Sequence, residues 1–112
     1  MVNERIVKLI ERLHQRTMDG KITWEQTNIE GVFQIAFPEY SLKISKSESS
    51  HDYSISIFLQ IYNKDGILIE GVHDGQLMPM IPFSTMEELY YNARRTAMGV
   101  DKAIDDILSE LD

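Results

Sequence analysis

Apolar residues recur at a helical spacing through the last quarter of the chain. The intervals between them alternate between four and three residues without interruption. The members of this stripe are Met86, Tyr90, Ala93, Ala97, Val100, Ile104, Ile107 and Leu111. Because this spacing places every member on one side of a helix, the pattern predicts a long amphipathic C-terminal helix that packs against a partner surface.

Two positions bear on the limits of this helix. Gly99 favours a break, since glycine in a helix interior costs about 1 kcal/mol relative to alanine and Asp101 could cap a new helix. The stripe nevertheless keeps its phase across Gly99, so the prediction is one continuous helix. Its start is predicted at Ser84, because Ser84 and Glu87 have the spacing of a capping box.

A second amphipathic pattern occupies the N-terminal segment from Asn3 to Met18. Its apolar side consists of Val2, Ile6, Leu9, Ile10, Leu13 and Thr17. Asn3 is a suitable N-cap, and Asp19-Gly20 is a suitable C-terminal stop because glycine adopts the left-handed conformation at low cost. This segment is predicted to be the first helix.

Alternating apolar and polar residues between the two helices predict five strands. Their expected ranges are 21–27, 32–37, 40–45, 53–63 and 67–72. The polar stretch 46–52 is predicted to be a loop, and Asn63-Lys64-Asp65-Gly66 is a strong hairpin signal. Because the connections are short, the strands are expected to form an antiparallel meander.

The predicted fold class is therefore α+β: an N-terminal helix, a five-stranded antiparallel meander and a long C-terminal helix, with the helices packed on one sheet face. A length of 112 residues with 43% apolar and 26% charged residues suits one folded domain spanning 1–112. The apolar segment 77–83 contains Pro79 and Pro82, which forbid regular structure there. This segment is expected either to cover the open end of the sheet or to bind a ligand.

Composition excludes several kinds of function. The chain has no cysteine, which rules out disulfides, thiolate catalysis and cysteine-ligated metals. A net charge of −7 argues against nucleic-acid binding, and no apolar run approaches the ~20 residues of a membrane span. The N-terminus lacks the hydrophobic core of a signal peptide, so a cytoplasmic location without membrane partners is expected. No motif in the sequence indicates a cofactor, and none is expected.

The charge is distributed unevenly between the two ends of the chain. The segment 3–18 holds the basic residues Arg5, Lys8, Arg12 and Arg16 against two acidic residues. The segment 99–112 holds the acidic residues Asp101, Asp105, Asp106, Glu110 and Asp112 against Lys102 alone. Such opposite charges can determine which surfaces meet, although two independently solvated faces are an equally good interpretation.

Candidate chemistry is sparse. The dipeptides His51-Asp52 and His73-Asp74 each place a general base beside a carboxylate, which would suit a small hydrolase. Their spacing matches no established metal or nuclease pattern, so structural roles are favoured and no catalytic or metal-binding residue is assigned. An alternative is a small-molecule pocket between sheet and helices. Its expected lining is Trp24, Phe33, Tyr53, Met80 and Phe83.

The segments Asp19–Glu25, Phe33–Tyr40 and Ala93–Leu111 together resemble small uncharacterised bacterial proteins of about 100 residues. The resemblance implies a helix, a meander and a closing helix, and it brings no catalytic residue with it. The preferred hypothesis is a non-enzymatic interaction module, a homodimer or an adaptor, acting through the C-terminal helix. The expected interface residues are Val100, Ile104, Ile107, Leu108 and Leu111.

Overall fold

The first helix of the computed structural model, which describes residues 3–112, is α1 (Glu4–Met18). The Asn3 side chain caps it by accepting a hydrogen bond from the backbone N–H of Ile6 at 3.0 Å. The helix is followed by Gly20, whose φ of +73° is in the left-handed region that glycine adopts readily. Both predicted ends of this helix are therefore confirmed.

Five strands follow in an antiparallel meander whose spatial order is the order of the sequence. They are β1 (Glu25–Gln26), β2 (Phe33–Ala36), β3 (Tyr40–Glu48), β4 (Ile55–Asn63) and β5 (Leu68–His73). The hairpin before β5 forms as predicted, with Gly66 at positive φ. There Asn63 Oδ1 accepts hydrogen bonds from the N–H groups of Asp65 and Ile67.

The strand limits differ from the predicted ranges by one or two residues in β2, β4 and β5, and by more in β1 and β3. β1 is only two residues long, because Trp24 turns into the core and the indole N–H donates to Thr17 Oγ1 of α1 at 3.0 Å. β3 continues through Glu48, where a loop was predicted from residue 46 onwards, since Lys46, Ser47 and Glu48 pair with β4. The polar composition of this segment reflects an exposed strand end rather than a loop.

Three helices follow the sheet: α2 (Asp74–Leu77), α3 (Phe83–Ala97) and α4 (Val100–Leu111). The prediction of one continuous C-terminal helix is wrong, because Gly99 takes a left-handed conformation at φ +65° and separates α3 from α4. The predicted capping box is also wrong. α3 begins at Phe83, and its N-cap Pro82 makes no side-chain capping bond.

The core lies between one sheet face and the helices α1 and α3, as the α+β prediction required. Ile44 is at its centre, paired with Phe33 on β2 and with Leu59 on β4. Other buried residues come from every layer: Ile10, Leu13, Trp24, Ile35, Leu42, Ile57, Val72, Leu77, Ile81, Met86, Leu89, Tyr90 and Ala93. The segment after α2 contributes Ile81 to this core, while Met78 and Met80 are exposed.

The opposite sheet face is largely polar, and its side chains are only partly buried. It carries Ser41, Lys43 and Gln60 beside Phe58 and Tyr62, and the ammonium group of Lys43 lies 4.7 Å from the ring centre of Tyr62. Among residues 3–112, no helix combines the length and apolar character needed to cross a bilayer.

Candidate functional site

Helix α4 projects from the fold with an unpartnered apolar stripe. None of its residues is buried. Exposure is 43% at Ile104, 58% at Ile107, 53% at Leu108 and 77% at Leu111, while Val100 beside the junction is partly buried. Four of the five predicted interface residues are therefore large apolar side chains in contact with solvent.

The junction between α3 and α4 determines where this stripe points. Gly99 provides the left-handed turn, and nothing lies within 4 Å of the position that a Cβ would occupy there. An ion pair between Arg95 on α3 and Asp101 on α4 spans the turn. The part of the stripe on α3 is therefore buried in the core, whereas the part on α4 is exposed to solvent, although the spacing of the two parts is in phase along the sequence.

An apolar cleft of about 380 Å³, which we call the α1 cleft, lies between α1 and one end of the sheet. Two arginines on successive turns of α1, Arg12 and Arg16, also line it. Its remaining lining is apolar or aromatic: Leu9, Leu13, Ile22, Phe37, Tyr40, Leu42 and Ile61. This cleft was not predicted from the sequence, because its lining comes from four separate segments.

Phe37 and Tyr40 explain why the cleft is open. The alternation of residues predicts both side chains on the inward sheet face, yet they are 48% and 52% exposed. They flank the β2–β3 turn, where the backbone N–H of Phe37 donates to the Tyr40 carbonyl at 2.7 Å. The inward face thus extends beyond the part that the helices cover.

The five residues of the predicted ligand pocket do not line one cavity. Trp24 and Phe33 belong to the core, Met80 lines a surface depression with His14 and Glu88, and Tyr53 is 75% exposed. Phe83 is only partly buried and packs at the edge of the core.

Residues of both His-Asp dipeptides make hydrogen bonds that stabilise the fold. His73 caps α2, where its Nδ1 accepts from the N–H of Gly75 at 3.1 Å, and Asp74 Oδ1 accepts from the N–H of Ile57 at 2.8 Å. In the β3–β4 loop, Asp52 accepts from the N–H of Ser54, and this hydrogen bond lowers the pKa of the Asp52 carboxyl. Within the described residues, no group of three or more His, Asp or Glu is arranged to hold a metal ion.

A second cationic contact ties the sheet to α3. Lys46 Nζ donates to the hydroxyl of Tyr91 at 3.0 Å and lies 5.7 Å from the ring centre of Tyr90. The hydrogen bond to Tyr91 raises the pKa of Lys46, and burial raises the pKa of Tyr90. Both shifts favour the usual charge states, a protonated Lys46 and a neutral Tyr90, and the contact positions α3 against the sheet.

Comparison with known proteins identifies no family for this chain. No protein-family model, curated protein or solved structure matches the chain.

Proposed function

We propose that this protein is a non-enzymatic interaction module that forms a homodimer through the apolar stripe of α4. The observation that carries the proposal is the exposure of Ile104, Ile107, Leu108 and Leu111 on a helix without a single buried residue. Burying such side chains contributes about 1.5–3 kcal/mol each relative to leaving them exposed. A contiguous stripe of this kind marks an interaction surface.

The length of α4 supports the same proposal. Its 12 residues are near the lower limit for a helix that persists in water without tertiary contacts. Locally it has one i,i+4 ion pair, between Lys102 and Asp106, which adds only about 0.3–0.5 kcal/mol. A partner surface would supply the packing that its own chain does not.

The test is the absolute mass of the full-length chain, measured by light scattering after size exclusion. We expect the unmodified protein to have twice the mass of one chain, and the variant Ile104→Asp/Ile107→Asp to have the mass of one. Lys102→Asp is the matched control, because it changes the net charge by the same two units on the opposite side of α4. It also removes the pair with Asp106, but that loss of about 0.3–0.5 kcal/mol should leave the dimer intact. An unmodified chain that remains monomeric would refute the dimer.

A second candidate function is the binding of a small apolar anion in the α1 cleft. The favouring observation is the pairing of an apolar lining with Arg12 and Arg16, since guanidinium groups bind carboxylates in a bidentate manner. Decanoate should then raise the melting temperature of the protein, and the variant Arg12→Gln/Arg16→Gln should not respond. Equal responses of both proteins would exclude this site.

A further inference from the structure

We propose that the α1 cleft receives helix α4 of a second copy, so that two chains exchange their C-terminal helices reciprocally. This inference rests on the proposed function, because it names the surface to which α4 binds. Helix-in-groove binding places the apolar side of an amphipathic helix in an apolar groove, with charged residues at the rim. Both halves of such a contact are present in this chain.

The two surfaces correspond in length and character. The α1 wall of the cleft runs from Leu9 to Arg16, and the exposed stripe of α4 runs from Ile104 to Leu111. Each interval of seven residues spans about 10 Å at 1.5 Å per residue. The cleft offers apolar and aromatic walls to a stripe composed of isoleucine and leucine.

The two surfaces carry charges of opposite sign, and these charges do not pair with each other within the described chain. Among residues 3–112, none of the ion pairs joins α1 to α4, and none includes Arg12 or Arg16. On α4, Asp101 pairs with Arg95 and Asp106 with Lys102. The acidic residues that lack such a pair in the described chain are Asp105 and Glu110 of α4 and its C-cap, Asp112.

A cation from another chain would stabilise the C-terminal end of α4. Glu110 and Asp112 lie where the helix dipole places partial negative charge, and the last turn has no basic residue. Like charges at that end destabilise the helix, whereas a guanidinium group from another helix would stabilise it. Arg12 and Arg16 lie one turn apart at the cleft and can meet this requirement.

Reciprocal exchange explains why the occupant is a second copy. Each chain has one α4 and one α1 cleft, so two chains satisfy each other completely and the assembly closes with two-fold symmetry. One helix in one groove is a small contact, but the symmetric arrangement forms it twice. This brings the buried area towards the roughly 1,200 Å² at which stable interfaces begin.

The test mixes two variants with different defects. The cleft variant is Arg12→Glu/Arg16→Glu, and the α4 variant is Ile104→Asp/Ile107→Asp. Each alone should have the mass of one chain at concentrations where the unmodified protein is dimeric. Their equimolar mixture should form a heterodimer, because the α4 of the cleft variant still fits the intact cleft of the α4 variant. With one contact in place of two, its dissociation constant should exceed that of the original dimer at least tenfold.

Two controls make the result specific. Lys8→Glu/Lys64→Glu imposes the same change of charge on exposed lysines outside the cleft, and it should leave the dimer unchanged. Asp105→Arg/Glu110→Arg reverses the charge of α4. This protein should bind the cleft variant more tightly than the unmodified chain binds it, because the substituted cleft and the substituted helix again carry opposite charges.

The outcomes separate this inference from the proposed function. A cleft variant that dimerises as tightly as the unmodified protein would overturn the cleft as the docking site, while α4-mediated dimerisation would stand. A mixture that stays monomeric would likewise refute the exchange. An unmodified protein that is monomeric at every concentration would refute both proposals.

Discussion

Helices α3 and α4 belong to one sequence pattern but differ in what their apolar sides contact. The apolar side of α3 supplies Met86, Leu89 and Ala93 to the core, where all three are completely buried. The stripe of α4 supplies no buried residue. Periodicity therefore predicts that a helix has an apolar side, but it does not predict whether the same chain covers that side. The first half of the stripe stabilises the fold, and the second half is available for a partner.

The largest difference between the two helices is expected when one leucine in each is replaced by alanine. Leu89→Ala should lower the free energy of unfolding by about 2–5 kcal/mol, because it leaves a cavity in a packed core. Leu108→Ala should change it by less than about 0.5 kcal/mol when measured on the monomer. Urea denaturation at low protein concentration provides both values. Equal losses would mean that α4 is part of the core.

A second test compares the polar anchoring of the two helices. The Tyr90 hydroxyl donates to the Gly31 carbonyl at 2.8 Å and so attaches α3 to the connection before β2. Tyr90→Phe should cost about 1–2 kcal/mol in urea denaturation, because the partly buried carbonyl loses its donor. Tyr91→Phe is the control on the exposed neighbour, and we expect it to cost less. The reverse order would contradict the anchoring role.

A third test concerns the break itself. Gly99→Ala should cost about 1 kcal/mol, because alanine is strained at φ +65°, and Gly99→Asn should cost less because asparagine tolerates this conformation. The readout is the dissociation constant of the dimer, in which the cost applies once in each chain, so that a total of about 2 kcal/mol corresponds to about thirtyfold. Tighter association of the alanine variant would show that a continuous helix serves the interface better than the break does.

The smallest expected effect is that of the exposed ion pair on α4. Lys102→Ala removes the 2.8 Å contact to Asp106 and should lower the stability of α4 by about 0.3–0.5 kcal/mol. The loss should be visible as slightly faster amide hydrogen exchange in α4 and should disappear in high salt, because exposed pairs are screened. An effect as large as that of Leu89→Ala would contradict the surface position of this helix.

Sequence signals predicted correctly those helix ends and turns that depend on one or two nearby residues. Asn3 and Gly20 set the ends of α1, and Asn63 with Gly66 set the hairpin before β5. The prediction failed at Gly99, because glycine is compatible both with a strained continuous helix and with a left-handed break. The sequence around it does not decide between them.

Helix α2 was also missed, although its signal is present in the sequence. His73 and Gln76 form a capping box in which the Gln76 side chain accepts from the N–H of His73 at 3.0 Å. The interpretation of His73-Asp74 as possible chemistry overlooked this spacing.

In the candidate site, too, features formed by neighbouring residues could be predicted, whereas features formed by distant segments could not. The stripe of α4 could be recognised from spacing alone because it is local. The α1 cleft could not be recognised, because Leu9, Phe37 and Ile61 come together only through the tertiary fold. The exposure of Phe37 and Tyr40 depends on where α1 packs on the sheet, and no local pattern encodes that position. The opposite charges of α1 and α4 could be recognised from the sequence. The sequence did not show that, in the described chain, no ion pair joins the two helices.

The most direct test of the central claim is amide hydrogen exchange of α4 measured at two protein concentrations. If α4 finds its partner surface on a second copy, its amides should exchange rapidly at low concentration and become protected as the concentration rises through the dissociation constant. The core amides of α3 should remain protected at both concentrations. Exchange in α4 that does not change with concentration would contradict the claim.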